Sequence, residues 1–185
     1  MTTTTVRNGV NVDQLVATVG AVKSSPALAQ FKFRATSRWQ GGGRCDSTVE
    51  SFYGVGAEQK HTHAYTIPGD EPAALLGQDT APNAVETVLA ALASCLAVGL
   101  AYNAAAQGIT IEDLEFALEG DLDLQGFLGL SDAVRPGFQN IRITYRVKSD
   151  APREKLEELC AYVQRTSPVL DIIRNPVPVT VELAD

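Results

Sequence analysis

The segment from Val88 to Ala106 limits the choice of fold more than any other part of the sequence. It reads VLAALASCLAVGLAYNAAA and carries no charged side chain over about the length of helix that crosses a bilayer. It is rich in alanine, contains Ser94, Gly99, Tyr102 and Asn103, and has no lysine or arginine close on either side. These features favour the buried core helix of a soluble protein over a membrane span.

The ends of this helix are also marked in the sequence. Asn83 precedes the apolar run and Gly108 follows it, which predicts a helix over about residues 84–107. Apolar or small side chains occupy every face of that helix, whereas one small sheet and two short helices cover only part of its circumference. We therefore expect a homodimer with no stable folded monomer, in which a second copy covers the remaining faces.

Length, charge and cysteine content set the broad class of protein. The chain has 185 residues, of which 45% are hydrophobic and 20% charged, as in ordinary soluble domains. The net charge of −7 opposes binding to the phosphate backbone of a nucleic acid, and the N-terminus lacks the pattern of an export signal. Three widely spaced cysteines without a CxxC pair are typical of a reducing compartment. We expect a cytoplasmic protein without nucleic-acid or membrane partners.

Hydrophobic periodicity predicts an accessory helix followed by three strands in the first part of the chain. Asn11 caps an amphipathic helix that ends near Pro26, and we assign residues 1–29 to this helix and its linker. Residues 30–185 are expected to form a single domain. Its first strands are predicted over 31–40, with Phe31, Phe33 and Trp39 on a half-buried face, over 44–53 after the turn Gly41-Gly42-Gly43, and over 61–67.

The second part of the chain is predicted to hold a strand pair, two helices and a last strand, which makes the fold α+β. Acidic side chains on the first strand of the pair face basic ones on the second, as in an antiparallel pairing. The apolar positions of the pair are Leu114, Phe116, Leu118, Leu122 and Leu124, then Ile141, Ile143, Tyr145 and Val147. The helices are marked by Leu156, Leu159, Cys160 and Val163 and by Ser167-Pro168, and the last strand by Val177, Val179, Val181 and Leu183.

Cys95 is the first candidate for chemistry, although a cysteine within an apolar helix is also explained as a buried structural thiol. A thiol is mostly protonated at neutral pH, and Cys95 lies too deep in its helix to gain much from the helix dipole. A functional Cys95 therefore needs a cation from another element. Arg44, directly after the glycine turn, is the best candidate, and the alternative for it is an exposed arginine at a hairpin tip.

The other thiols and the two histidines give weaker indications. Cys160 lies on the apolar stripe of its helix and is expected in the core. Cys45 follows Arg44, so it would approach an oxidised Cys95 if Arg44 does, and could then resolve it. His61 and His63 share one side of a strand at a spacing that can chelate a metal, but the sequence offers no third ligand. We expect neither a metal nor a bound cofactor.

The run from Asn83 to Cys95, NAVETVLAALASC, resembles the NPEExxxAAxxAC signature of the OsmC/Ohr family. The GGGR turn before it, the strand pair after it, and RTSPVLD followed by NPVPVTVEL are similar to that family over about residues 30–183. The resemblance implies an OsmC-like α+β fold, with antiparallel sheets packed around a long buried central helix in an intertwined homodimer. In characterised branches it also implies a cysteine peroxidase that reduces organic hydroperoxides.

Residue by residue, the resemblance makes Cys95 the peroxidatic nucleophile and Arg44 the arginine that tunes its thiolate. Two positions differ from the family pattern: Ser167 replaces the second cysteine, which resolves the sulfenic acid, and Val85 replaces the first glutamate. Glu86 remains as a supporting candidate, but it precedes Cys95 by nine residues and therefore faces the opposite side of the helix. Ser167 is also explained as a helix N-cap before a proline.

Together these features favour a thiol-dependent peroxidase of oxidative-stress defence that reduces organic hydroperoxides and depends on an external thiol as reductant. The alternative is a non-peroxidatic member of the family that binds a small apolar or thiol-containing ligand in the dimer cleft. The retained Cys95 and Arg44 favour the enzyme, whereas the lost glutamate and the lost second cysteine favour the ligand-binding protein.

Overall fold

A computed structural model describes residues 4–184 and contains helices and antiparallel strands in the order expected of an α+β fold. The strands are β1 (Val6–Arg7), β2 (Val10–Asn11), β3 (Lys32–Phe33), β4 (Thr36–Gly41), β5 (Arg44–Gly54), β6 (Ala57–Gly69), β7 (Ile111–Asp121) and β8 (Asn140–Ser149). The helices are α1 (Val12–Ser24), α2 (Ala84–Ala106), α3 (Leu124–Phe127), α4 (Arg153–Thr166) and α5 (Pro168–Arg174). The chain divides into two compact units, one built mainly from Asn11–Val88 and the other mainly from Leu89 onward.

The N-terminal helix α1 forms as predicted. The side chain of Asn11 accepts a hydrogen bond from the backbone N–H of Gln14 at 2.9 Å, which is the expected N-cap contact. The helix ends at Ser24, and Pro26, two residues later, starts a short 3₁₀ turn. None of its side chains is fully buried, and Val16 and Val19 of its apolar stripe are exposed in the single chain.

A four-stranded antiparallel sheet forms the body of the first unit. β5 lies at its centre, with β6 along one edge and with β3 and β4 along the other. The strand predicted over 31–40 is thus interrupted between Phe33 and Thr36. The prediction of a half-buried face is wrong for the single chain, because Phe33 and Trp39 are about three-quarters exposed. The phenylalanine rings contact one another instead, with Phe33 and Phe52 centroids 5.8 Å apart.

Helix α2 begins with a reciprocal capping contact and ends at a glycine. The Asn83 N–H donates to the Glu86 carboxylate at 2.8 Å, and the Glu86 N–H donates to the Asn83 side chain at 2.9 Å. Gly108, with φ of 77°, accepts the left-handed conformation that terminates the helix. The observed end at Ala106 confirms the predicted helix to within one residue.

One stripe of α2 forms the core of the second unit. Leu92, Leu96, Leu100 and Ala104 recur every four residues and are buried against Leu159, Cys160 and Val163 of α4 and Leu170 of α5. Gly99 allows a close approach, because a Cβ at this position would lie 3.0 Å from Val163 Cγ1. Cys160 is buried, as predicted.

The remaining faces of α2 are not covered within the single chain. Val88, Val98 and Tyr102 are 40%, 51% and 48% exposed, so the helix is buried on one side rather than all round. By length and composition alone α2 would also pass as a membrane span, and 17% of its most apolar window is buried. The core helix of a soluble protein has the same length and composition.

The strand pair β7–β8 confirms the predicted antiparallel pairing. Its apolar face packs on the core, and its outer face carries cross-strand ion pairs: Arg146 with Glu115, Arg142 with Glu119 and Asp121, and Lys148 with Glu112. The prediction that Leu122 and Leu124 continue the first strand is wrong. β7 ends at Asp121 because the Asp123 side chain caps α3 by accepting the Gln125 N–H at 2.9 Å.

The C-terminal segment differs from its prediction. Helices α4 and α5 form where expected, but residues 176–184 form no strand in the described chain. Val179, Val181 and Leu183 are 77%, 88% and 101% exposed. A strand requires a neighbour for its backbone hydrogen bonds, and no described strand pairs with this segment.

We expect the leucine stripe of α2 to dominate the stability of the second unit. Leu92→Ala should lower the free energy of unfolding by about 2–5 kcal/mol, because it leaves a cavity at a fully buried position. The matched control Leu130→Ala, at an exposed position, should change it by about 0.5 kcal/mol or less. Urea unfolding of the three proteins measures both effects, and equal losses for the two variants would contradict this packing.

Candidate functional site

Cys95 lies in the middle of α2, one residue before the buried Leu96, and its thiol is half-buried. Its sulfur is 3.2 Å from the hydroxyl oxygen of Ser167, which is within hydrogen-bonding distance. The two residues are 72 positions apart in the chain. The structure therefore places Cys95 beside Ser167, the residue that the sequence resemblance aligns with the second cysteine.

Ser167 is held in place by the junction of α4 and α5. It ends α4 and caps α5, where its side-chain oxygen accepts the Leu170 N–H at 3.2 Å and Pro168 occupies the first helical position. Only 5% of the residue is exposed. The predicted capping role is thus confirmed, and the same oxygen also contacts Cys95.

Arg44 is the first residue of β5 and belongs to the first unit, whereas Cys95 belongs to the second. The turn before it uses the conformational freedom of glycine, since Gly41 and Gly42 have φ of 102° and 58°. Its side chain is exposed in the single chain. Its pairing with Cys95 stays a prediction.

Cys45 lines a small cavity of about 200 Å³ within the first unit, together with Ser47, Gly69, Glu71 and Thr87. Gly69 packs closely there, because a Cβ at this position would lie 3.0 Å from the Cys45 sulfur. Successive side chains of a strand point to opposite faces, so Cys45 and its neighbour Arg44 leave β5 in different directions. The role of Cys45 in resolving an oxidised Cys95 stays a prediction.

One wall of this cavity is a loop organised around Asp70, which sequence reasoning did not single out. The buried Asp70 carboxylate accepts hydrogen bonds from the backbone N–H groups of Glu71, Gln78 and Thr80 and from the Thr80 hydroxyl at 2.7 Å. The Thr80 hydroxyl contributes most to lowering the pKa of Asp70 to about 2. The Pro-, Gly- and Asp-rich composition of residues 68–82 indicates a loop but not this network.

Glu86 and Cys160 have structural partners. The Glu86 carboxylate accepts the Asn83 N–H as part of the α2 cap, at the start of the helix and far from Cys95. Burial raises the pKa of the Cys160 thiol, and burial also raises the pKa of its neighbour Tyr145 to about 12. A buried thiol with a raised pKa is a poor nucleophile. The contacts of Glu86 in the helix cap and of Cys160 in the core thus account for both side chains as structural residues.

The two histidines stand beside the same aromatic ring. His61 and His63 have ring centroids 5.4 Å and 4.3 Å from that of Tyr65. Among residues 4–184, no three His, Cys, Asp or Glu side chains are grouped closely enough to hold a metal ion.

The comparisons with known proteins agree on one family. The family model for OsmC-like proteins matches residues 77–182, which is more than half of the chain and includes both Cys95 and Ser167. The chain belongs to the OsmC-like family. None of the curated proteins compared matches this chain.

Solved structures support the same fold at low sequence identity. An OsmC-like protein from Mycoplasma pneumoniae is 15% identical, with a TM-score of 0.61 over 78% of this chain and 89% of that one. An organic hydroperoxide resistance protein OsmC from Legionella pneumophila is 17% identical, with a TM-score of 0.54 over 77% and 90%. An OsmC-like protein of unknown function from Vibrio cholerae is 12% identical, with a TM-score of 0.55 over 76% and 92%. These similarities establish an OsmC-like fold.

We expect the Asp70 network to make the first unit sensitive to acid. Because folding lowers the Asp70 pKa from 3.8 to about 2, its stabilising effect is complete above about pH 5 and is lost as the pH falls through 4 towards 2. Asp70→Asn should therefore unfold at a lower temperature than the parent at pH 7, and the difference should shrink towards pH 2. Thermal unfolding followed by circular dichroism measures this.

The control for Asp70 is Asp79→Asn, a matched change at an exposed position of the same loop. It should leave the melting temperature nearly unchanged at every pH. A difference between Asp70→Asn and the parent that stays constant from pH 7 to pH 2 would contradict the assigned network.

Proposed function

We propose that this OsmC-like protein is a thiol-dependent peroxidase that reduces organic hydroperoxides, with Cys95 as the nucleophile. The observation that carries the proposal is the half-buried Cys95 thiol of α2, which lies within the family match and contacts the buried Ser167 hydroxyl at the junction of α4 and α5. The Legionella pneumophila protein with the same fold is an organic hydroperoxide resistance protein. The apolar surroundings of α2 favour the organic part of such a substrate over hydrogen peroxide.

The proposed reaction uses one thiolate and one external reductant. The Cys95 sulfur attacks the outer peroxide oxygen, the O–O bond breaks, and the alkoxide takes up a proton and leaves as an alcohol. Cys95 is then a sulfenic acid. A low-molecular-weight thiol displaces water to give a mixed disulfide, and a second thiol releases Cys95 and leaves as the oxidised disulfide. Two thiols thus supply the two electrons that the hydroperoxide accepts.

Arg44 completes the site in this proposal. Its guanidinium would stabilise the Cys95 thiolate and orient the peroxide, and delivery from the hairpin of a second copy would place it there. Gly43, directly before Arg44, packs against the side chain of Glu71, because a Cβ on Gly43 would lie 3.1 Å from Glu71 Cγ.

The proposal includes a homodimer, for which two exposed features argue. The uncovered faces of α2 present Val88, Val98 and Tyr102 to solvent, and the C-terminal segment presents alternating valines without a strand partner. A second copy of the chain would bury the exposed faces of α2 and supply a sheet edge for the C-terminal segment. We further propose that the protein acts in the cytoplasm, without nucleic-acid, membrane or metal partners.

A ligand-binding protein without peroxidase activity is the second candidate. It is favoured by two differences from the family signature: Val85 stands where the signature has a glutamate, and Ser167 stands where it has the second cysteine. Such a protein would hold a small apolar or thiol-containing molecule in the dimer cleft. The two candidates differ in whether Cys95 consumes hydroperoxide.

We expect the purified protein to consume cumene hydroperoxide faster than hydrogen peroxide in single-turnover, stopped-flow measurements. Cys95→Ser should abolish the reaction, because the replacement alcohol is not ionised at neutral pH. Cys45→Ser is the matched control and should retain this first oxidation step. Equal rates for the parent and Cys95→Ser would reject the peroxidase and favour the ligand-binding protein.

We also expect a dimer that persists on dilution and depends on the C-terminal segment. Val181→Asp should weaken the dimer because it places a charge among the alternating valines, whereas the neighbouring Glu182→Gln should not. Multi-angle light scattering during serial dilution, with hydroperoxide consumption followed in parallel, measures this. A well-folded, active species with the 19.7 kDa mass of one chain would rule out the dimeric site.

A further inference from the structure

The contact between Ser167 and Cys95 has a defined direction once the thiol is ionised. A thiolate carries no proton and can only accept a hydrogen bond. The Ser167 hydroxyl can donate one, since its oxygen already accepts the Leu170 N–H while its own hydrogen remains available. The sulfur lies 3.2 Å from that oxygen, so the hydroxyl is within reach of it without any rearrangement.

We infer that Ser167 is a positioning residue that stabilises the Cys95 thiolate by donating a hydrogen bond to its sulfur. The inference rests on the proposed function, in which the thiolate is the attacking species. In the thiol form the same contact is a weak bond between neutral groups, whereas in the thiolate form it is charge-assisted and stronger. The contact is therefore strongest when the sulfur carries the charge with which it attacks the peroxide.

The position of Ser167 makes this contribution a stable one. The residue is 95% buried and its backbone is fixed between two helices, so its hydroxyl loses little freedom when it turns to the sulfur. Water has little access to the oxygen and competes weakly for the hydrogen bond.

The same geometry explains how the reaction cycle is divided. Ser167 occupies the place from which a thiol would attack the Cys95 sulfenic acid, but an alcohol does not form a disulfide. The Cys95 sulfenic acid therefore persists until an external thiol attacks it, which forms the S–S bond and releases water. Ser167 thus acts in the first step, on the thiolate, and leaves the second step to the reductant.

The test measures the alkylation of Cys95 by iodoacetamide at pH 7 and at pH 10, followed by mass spectrometry of the Cys95 peptide. Ser167→Ala should slow alkylation about 10-fold at pH 7, where the thiolate fraction limits the rate. At pH 10 thiols are ionised, so the two proteins should react alike. Ser167→Thr keeps the hydroxyl and should stay within about 2-fold of the parent at both pH values.

The control variant is Thr166→Ala, which removes a neighbouring hydroxyl that bonds to the Tyr162 carbonyl rather than to Cys95. It should leave alkylation unchanged, and thermal unfolding checks that all variants are folded. Loss of rate in Ser167→Ala at both pH values would assign Ser167 a purely structural role. An unchanged rate at pH 7 would overturn the inference as well.

A second variant tests the geometry without relying on ionisation. In Ser167→Cys the introduced sulfur lies close enough to Cys95 to form a disulfide after one equivalent of cumene hydroperoxide, as the 3.2 Å contact requires. Absence of this disulfide in a protein whose Cys95 does become oxidised would contradict the contact. If the parent fails to consume hydroperoxide while the alkylation rates behave as expected, the proposed function fails and the Ser167 contact stands.

Discussion

Helix α2 is buried along one side and exposed along the other within the single chain. Its leucine stripe packs against α4, α5 and the β7–β8 pair and forms the core of the second unit. The other faces of the helix also carry apolar side chains, and this chain leaves Val88, Val98 and Tyr102 in contact with water. At about 25 cal/mol per Å² of apolar surface, such exposure is costly for a soluble protein. The proposed second copy would cover this apolar surface. The exposed C-terminal valines also support a second copy.

The contact between Cys95 in the middle of α2 and Ser167 at the α4–α5 junction joins two polar groups beside an apolar core. Cys95 follows a run of alanine, leucine and serine, and its thiol meets the hydroxyl of Ser167 from a helix junction far away in the chain. That junction is fixed by a cap and a proline, while the helix is fixed by its leucines. Two elements fixed by packing and capping thus bring the Cys95 thiol and the Ser167 hydroxyl together, which is the contact that the proposed chemistry uses.

The sequence predicted those elements whose signals are local. The caps at Asn11 and Ser167, the ends of α2 and the charge pairing across β7–β8 follow from patterns that span a few residues or one strand pair, and all were confirmed. The Asp70 network was missed because its donors are three backbone N–H groups and the Thr80 hydroxyl, up to ten residues away in an irregular loop, and no periodic side-chain pattern records them.

Two predictions failed at surfaces that need a neighbouring element to cover them. The strand over 177–183 was wrong for the single chain, and the face with Phe33 and Trp39 was exposed rather than half-buried. In both cases the alternating pattern was read correctly, but the pattern does not say which surface covers it. The pairing of Arg44 with Cys95 depends on a neighbour in the same way, since Cys95 belongs to the other compact unit.

In the proposed reaction the Cys95 sulfur attacks an organic hydroperoxide and becomes a sulfenic acid. Mass spectrometry of the protein after one equivalent of cumene hydroperoxide, with dimedone present to trap sulfenic acid, tests this step. We expect one dimedone adduct per chain, on the Cys95 peptide. An unmodified Cys95, or a disulfide between Cys95 and the buried Cys160, would contradict it.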